Sequence, residues 1–227
     1  MSALELLPLA LLGAVLGLDV VSFPQAQLSR PIVAATLGGA MVGAPVQGLL
    51  AGAALELIAL DTLPFGASRY PEWGSASVVA GALYGAHPAQ PVGAMTMAVI
   101  IGVATSWLGG WTMIHLRRLN ARWARSRLAA LERGDRRAVV GLQLAGLTAD
   151  LVRGGLLTFV ALAVLRPLLD GVLGMWGADA RTSRALASAV AATVAAGAAW
   201  KLFHSAAGAR WFFLGGLALG LALMRLV

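Results

Sequence analysis

The feature that most constrains this chain is the unequal length of its apolar runs. Runs at about 3–22, 92–114, 154–173 and 208–227 are long enough to cross a bilayer, which takes about 20 residues in a helix. Between them lie shorter runs at 31–43, 46–60, 76–86, 139–150 and 183–200. A run of about ten to fifteen residues fits a re-entrant or discontinuous segment better than a full crossing. Non-helical backbone survives at membrane depth only where protein covers it or water reaches it. Paired half-length segments broken by Gly and Pro therefore point to a transporter cavity. The fold class is an all-α integral membrane protein, a polytopic helical bundle with short re-entrant or discontinuous helices in the N-terminal half.

Composition agrees. Of 227 residues, 59% are hydrophobic and 12% charged, and mean hydropathy is +0.81. A soluble domain carries about a quarter charged residues. The 28 glycines suit helices whose backbones approach closely. Glu5 stands where a signal peptide would have its basic region, so the first run reads as a retained helix. Without cysteine, disulfides and thiolate chemistry are excluded.

The net charge of +7 is concentrated in one place, because His115 to Arg137 holds eight arginines against Glu132 and Asp135. That distribution argues against nucleic acid as a partner. It divides a single membrane domain, 1–227, into an N-terminal helical half (3–114), a basic connector (115–138) and a C-terminal helical half (139–227). By the positive-inside rule the 117–137 loop is cytoplasmic. Trp123 among the arginines suits an anchor at headgroup level. The connector serves either as a solvated topology signal or as a docking surface.

Ionisable and amide groups inside a membrane are costly and point to function. In the N-terminal half these are Asp19, Gln25, Gln27, Arg30, Gln47, Glu56 and Asp61. Glu56 has apolar neighbours on both sides, so it must be paired, protonated or solvated by a cavity. It either pairs with Arg30 or accepts hydrogen bonds from a sugar, and the two are compatible. Gln27 would share a face with Arg30 if that segment were helical, and Pro31 opens the next helix. Gln47, just after Pro45, reads as a turn cap. Tyr70 and Trp73, in the polar stretch 60–77, read as belt aromatics in preference to sugar-stacking residues. Asp150 and Arg153 read as a pair within one helix. His87, His115 and His204 have no ligand spacing. No metal site, cofactor motif or catalytic motif is expected.

The stretch "LSRPIVAATLGGAMVGAPVQGLLAGAALELIAL" resembles the IIC membrane subunit of the mannose/fructose/sorbose group of the bacterial phosphotransferase system. Gln27, Arg30, Pro31, Thr36, Gly43, Gly48, Gly52, Leu55, Glu56, Ile58, Ala59, Leu60, Gly66 and Ala67 match its pattern in register. The similarity is specific over about 15–85 and looser beyond. Pro24, Gln25, Asp61, Pro64 and "ASRYPEWG" depart from the usual residues. The resemblance implies a sugar permease subunit of the inner membrane, paired with a IID subunit as an inverted-repeat heterodimer and assembled into trimers. It implies that sugar moves by an elevator motion, and that separate IIA and IIB proteins supply phosphate from their own histidines. This chain would then be no enzyme itself, and would need no cofactor. Gln27 and Glu56 match positions expected to face the sugar. With Arg30, Gln25 and Asp61 they form the candidate substrate-binding set. Two alternatives stand beside this: a facilitator or sensor without phosphotransfer, and a structural subunit that binds no sugar.

Overall fold

The computed structural model describes residues 3–60, 69–88, 91–175, 177 and 179–224. Among them the regular structure is helical: α1 (Ala3–Asp19), α2 (Pro31–Met41), α3 (Pro45–Ala59), α4 (Trp73–Gly85), α5 (Pro91–Ser126), α6 (Leu128–Glu132), α7 (Arg136–Gly174), α8 (Ala180–Phe203) and α9 (Ala209–Met224). Three are long and apolar enough to cross a membrane: Val92–Ser126, Arg136–Gly174 and Arg181–Phe203. The exterior matches that solvent, with Leu4, Leu11, Val164, Leu168, Trp211 and Phe212 all exposed. This is a multi-pass membrane fold.

Helices α2, α3 and α4 have 11, 15 and 13 residues, about 17, 22 and 20 Å at the α-helical rise, short of a hydrocarbon core of about 30 Å. Their ends are written in the sequence. Pro31 and Pro45 occupy first-turn positions, where a missing N–H costs nothing. Gly43 turns the chain between α2 and α3 at φ +78°, a left-handed backbone that glycine adopts without strain. The two helices then pack backbone to backbone. A Cβ on Gly39 would stand 2.7 Å from the Gly48 Cα, and one on Gly38 would stand 2.5 Å from the Val78 carbonyl of α4. The small residues of α2 and α3 are covered by protein: Ala34, Ala35, Gly38, Gly39, Gly48, Ala51 and Gly52 are buried.

Every residue of α4 is buried, because α1, α2, α3, α5 and α7 all pack on it. Leu9, Val78, Val79, Leu83, Leu162 and Leu169 form one apolar core, and Leu55, Trp73, Ala80 and Val99 a second. The belt reading of Tyr70 and Trp73 is corrected here, since both are buried under α5 and its neighbours.

Two length estimates are also revised. The 139–150 and 154–173 runs are one helix, α7. The break between them is Asp150 and Arg153, whose charges satisfy each other without interrupting the backbone. The 183–200 run is part of α8, which residues 180–182 at one end and 201–203 at the other extend to 24 residues. The 115–137 stretch is largely helical. It continues α5 out to Ser126, turns through α6 and returns in α7, which starts at Arg136 with its N-cap Asp135 accepting from the Arg137 N–H at 2.9 Å.

Candidate functional site

The polar loop between α1 and α2 is held from its start. Asp19 ends α1 and is buried. Its Oδ1 accepts from the Ala26 N–H at 2.7 Å and its Oδ2 from the Ser29 N–H at 2.8 Å. The loop so pinned places Gln25 and Gln27 at φ 60° and 65°. For non-glycine residues that backbone costs about 1–3 kcal/mol each and persists only where surroundings impose it. The segment is therefore not helical, so the condition for Gln27 and Arg30 to share a helical face is not met. Both glutamines are exposed; the Gln25 amide turns back to donate to the Val21 carbonyl.

Arg30 is the N-cap residue of α2 and has no side-chain cap of its own. Glu56 supplies one from α3. Its Oε1 accepts from Arg30 Nε at 2.5 Å, and the same oxygen meets Arg30 Nη2. Its Oε2 accepts from the Ile32 N–H at 3.1 Å. A carboxylate at this end of a helix satisfies a free N–H and complements the helix dipole. The ion pair is thus made. The Glu56 side chain is 14% exposed while that of Arg30 is 50% exposed, so the pair lies near the surface rather than in the core. Gln47 lies in the first turn of α3. Asp61 falls outside the described residues.

The Asp150–Arg153 pair read from the sequence is made, and the structure adds to it Glu72 and Ser22, which the sequence did not reveal. Glu72, read as part of a polar loop, is fully buried. It caps α4, with Oε1 accepting from the Ser75 N–H at 3.0 Å, and its own N–H donates to the Ser106 carbonyl at 2.8 Å. Its Oε2 lies 4.0 Å from Arg153 Nη1. Arg153 is held more tightly by Asp150, with Nε and Nη2 at 2.9 and 2.8 Å from Oδ1, and donates from Nη1 to Thr112 Oγ1 at 3.3 Å. Ser22 then donates to Asp150 Oδ2 at 2.5 Å. The polar loop is thereby tied to α7, and through Arg153 faces α4. Beside this cluster the Arg117 guanidinium lies over the Tyr70 ring, 4.9 Å from its centroid, and donates to its hydroxyl at 2.5 Å. One signal for Glu72 was available: it immediately precedes a run of small and apolar residues long enough for one buried helix, whose cap would be buried with it.

The histidines make local contacts. His87 Nδ1 lies 2.7 Å from the Leu83 carbonyl and Nε2 2.6 Å from Asp170 Oδ1. His115 stands edge-on to Trp111.

Known proteins share both sequence and shape with this chain. The model of a family described as the PTS system sorbose-specific IIC component (EII-Sor) matches residues 3–222. The fructose permease IIC component of Bacillus subtilis (strain 168) is 35% identical over 79 residues, a stretch covering 35% of this chain and 29% of that relative. A solved structure described only as a membrane protein superposes with a TM-score of 0.69 at 18% identity, over 100% of this chain and 94% of its own. A cryoEM structure of the mannose transporter ManYZ in complex with microcin E492 gives a TM-score of 0.62 at 19% identity, over 97% and 87%. At those identities the two structures establish the shared fold.

Proposed function

The chain belongs to the family of phosphotransferase-system sorbose-specific IIC components, and from that membership we propose that it is the sugar-translocating membrane subunit of such a permease. The observation that carries the reading is the clasp of Arg30 by Glu56. It closes a polar loop, strained and pinned by Asp19, against the half-length helices α2 and α3. Amide, guanidinium and carboxylate groups of this kind are the donors and acceptors that a polyhydroxylated ligand needs. Sugar hydroxyls meet Gln27 and Glu56 first. Arg30 and Gln25 belong to the same proposed set, and so does Asp61 on the ground of sequence alone.

In this reading a IID membrane subunit completes the permease, and the heterodimers assemble into trimers. Phosphate comes from cytoplasmic IIA and IIB carriers, with no phosphoacceptor on this chain. The protein lies in the bacterial inner membrane with the basic α5–α7 hairpin in the cytoplasm. The apolar faces that α8 and α9 leave exposed meet lipid or the partner subunit.

One observation favours a different role, that of a structural subunit binding no sugar: both Glu56 oxygens already have partners within the chain. A carboxylate offers about four lone-pair directions, however, so Glu56 keeps acceptor capacity. The test is uptake of a sugar panel into membrane vesicles holding this chain and a IID partner, with IIA, IIB and phosphoenolpyruvate supplied. Accumulation of sugar phosphate that depends on phosphoenolpyruvate is expected. Uptake indifferent to phosphoenolpyruvate, or none with any sugar, overturns the reading.

A further inference from the structure

A cavity of 510 Å³ opens at the base of the basic hairpin, between α5, α7 and the start of the polar loop. Its size is that of small-molecule sites. Its polar lining comes from three elements: Ser22 of the loop, Arg117 and Asn120 of α5, and Gln143 and Asp150 of α7, with Trp123 as an aromatic wall. Asn120 Oδ1 is buried there with no hydrogen-bond partner, although buried acceptors are nearly always satisfied. Gly146 keeps the space open, since a Cβ at its position would already lie 3.5 Å from Asn120 Nδ2.

We propose that this cavity is a second sugar-binding site, a vestibule on the hairpin side of the polar loop, in which Asn120 and Gln143 take the hydroxyls of an unphosphorylated sugar against Trp123. Each amide offers a donor and an acceptor side by side, matching the adjacent hydroxyls of a sugar ring. An apolar aromatic wall with a polar rim suits a ring that has one face of C–H groups. The charges of the lining are already engaged, with the Arg117 guanidinium on Tyr70 and the Asp150 carboxylate paired with Arg153, so a neutral ligand held by the two amides fits it. Ser22 lines the cavity while bonded to Asp150, and it lies three residues before Gln25 in the same loop. The vestibule therefore adjoins the loop site along the chain itself, at the end nearer the arginines. This inference rests on the reading of the chain as a sugar permease.

The test uses the absence of cysteine. Ala124 lines the cavity, so Ala124→Cys gives the assembled permease in native membranes a single reporter on this chain. Its alkylation rate by N-ethylmaleimide is measured with glucose, mannose, fructose and sorbose, and with their 6-phosphates. A transported sugar is expected to slow alkylation, its 6-phosphate to leave the rate unchanged, and the protection to persist in Gln27→Ala. Asn120→Leu is expected to raise the half-protecting concentration about tenfold, as losing one buried hydrogen bond does. Gly146→Val, which places a side chain against Asn120, should weaken protection further. An unchanged rate with a sugar that is transported overturns the vestibule and leaves the permease reading standing. Protection lost in Gln27→Ala but kept in Asn120→Leu overturns it as well, placing the effect at the loop. Protection by the 6-phosphates alone overturns the neutral ligand. Protection without uptake of any sugar supports the vestibule while the permease reading falls.

Discussion

Arg30 and Glu56, 26 residues apart and on different segments, share one carboxylate oxygen at 2.5 Å from Nε, and the other oxygen of Glu56 caps α2 through Ile32. The contact therefore has a structural duty whether or not a sugar also uses it. The two duties separate by mutation because the partners differ in exposure: half of the Arg30 side chain faces outward.

Glu56→Gln keeps the shape and one acceptor but loses the charge. An exposed guanidinium without its partner remains solvated, so folding should survive with little loss. A hydrogen bond to a charged acceptor contributes about 1.5–3 kcal/mol, so half-saturating sugar should rise about ten- to a hundredfold. Uptake kinetics and expression of Glu56→Gln, Arg30→Gln and the double variant check this. Restored uptake in the double variant would make the pair purely structural.

Asp19→Asn tests whether the pinned loop matters. The amide can serve one of the two N–H groups at Ala26 and Ser29 and turns a donor towards the other. Released, Gln25 and Gln27 should leave their strained backbone. Sugar affinity should fall about tenfold while helix content by circular dichroism stays constant. Unchanged affinity would show that the loop conformation is irrelevant to binding.

Glycine at the helix contacts makes a sharper demand. Gly38 faces the Val78 carbonyl with no room for a Cβ, whereas Gly216 on α9 has nothing within 4 Å. Gly38→Leu should destabilise by about 3 kcal/mol or more, seen as aggregation in detergent, and Gly216→Leu should be tolerated. Equal behaviour of the two would remove close α2–α4 packing as a cause of stability.

Orientation follows from charge. A cysteine at Ser126, exposed at the end of α5, should resist impermeant thiol reagents added outside intact cells and react once the membrane is opened. Rapid labelling from outside would invert the topology.

How far the sequence reveals this molecule depends on the range of the interactions involved. Pro31, Gly43 and Pro45 act locally, and the ends of α2 and α3 could be read from them. So could the Arg30–Glu56 pairing, because a lone carboxylate among apolar residues must find a charge. The Asp150–Arg153 pair was legible as an i,i+3 pair within one helix, but the full length of α7 was hidden, since a hydropathy run stops at charges even when they neutralise each other. The left-handed Gln25 and Gln27 were hidden because Asp19, several residues away, imposes that backbone. Tyr70, Glu72 and Trp73 were misplaced at the surface because only the packing of five helices around α4 buries them. The membership in a IIC family was legible through the register of Gln27, Arg30 and Glu56 with their glycines, a pattern carried by spacing.

The buried cluster at the centre of the fold gives the last prediction. Two carboxylates, Glu72 and Asp150, share one guanidinium, and Arg153 is only slightly exposed. Removing one partner of a buried ion pair leaves a charge without compensation and costs about 3–5 kcal/mol. Arg153→Leu leaves two such charges and should be the most damaging change in the chain. Asp150→Leu should also be severe, because it frees Ser22 and removes the closest contacts of Arg153. Glu72→Gln should be mild: the oxygen that accepts from Ser75 can be kept, and what is lost is a contact of 4.0 Å. Replacing all three by leucine should recover much of the stability, since buried ion clusters are often no more stable than apolar groups of similar volume. Thermal unfolding of the four variants in detergent decides it. A Glu72→Gln protein as unstable as Arg153→Leu would show that Glu72, not Asp150, is the principal counter-charge.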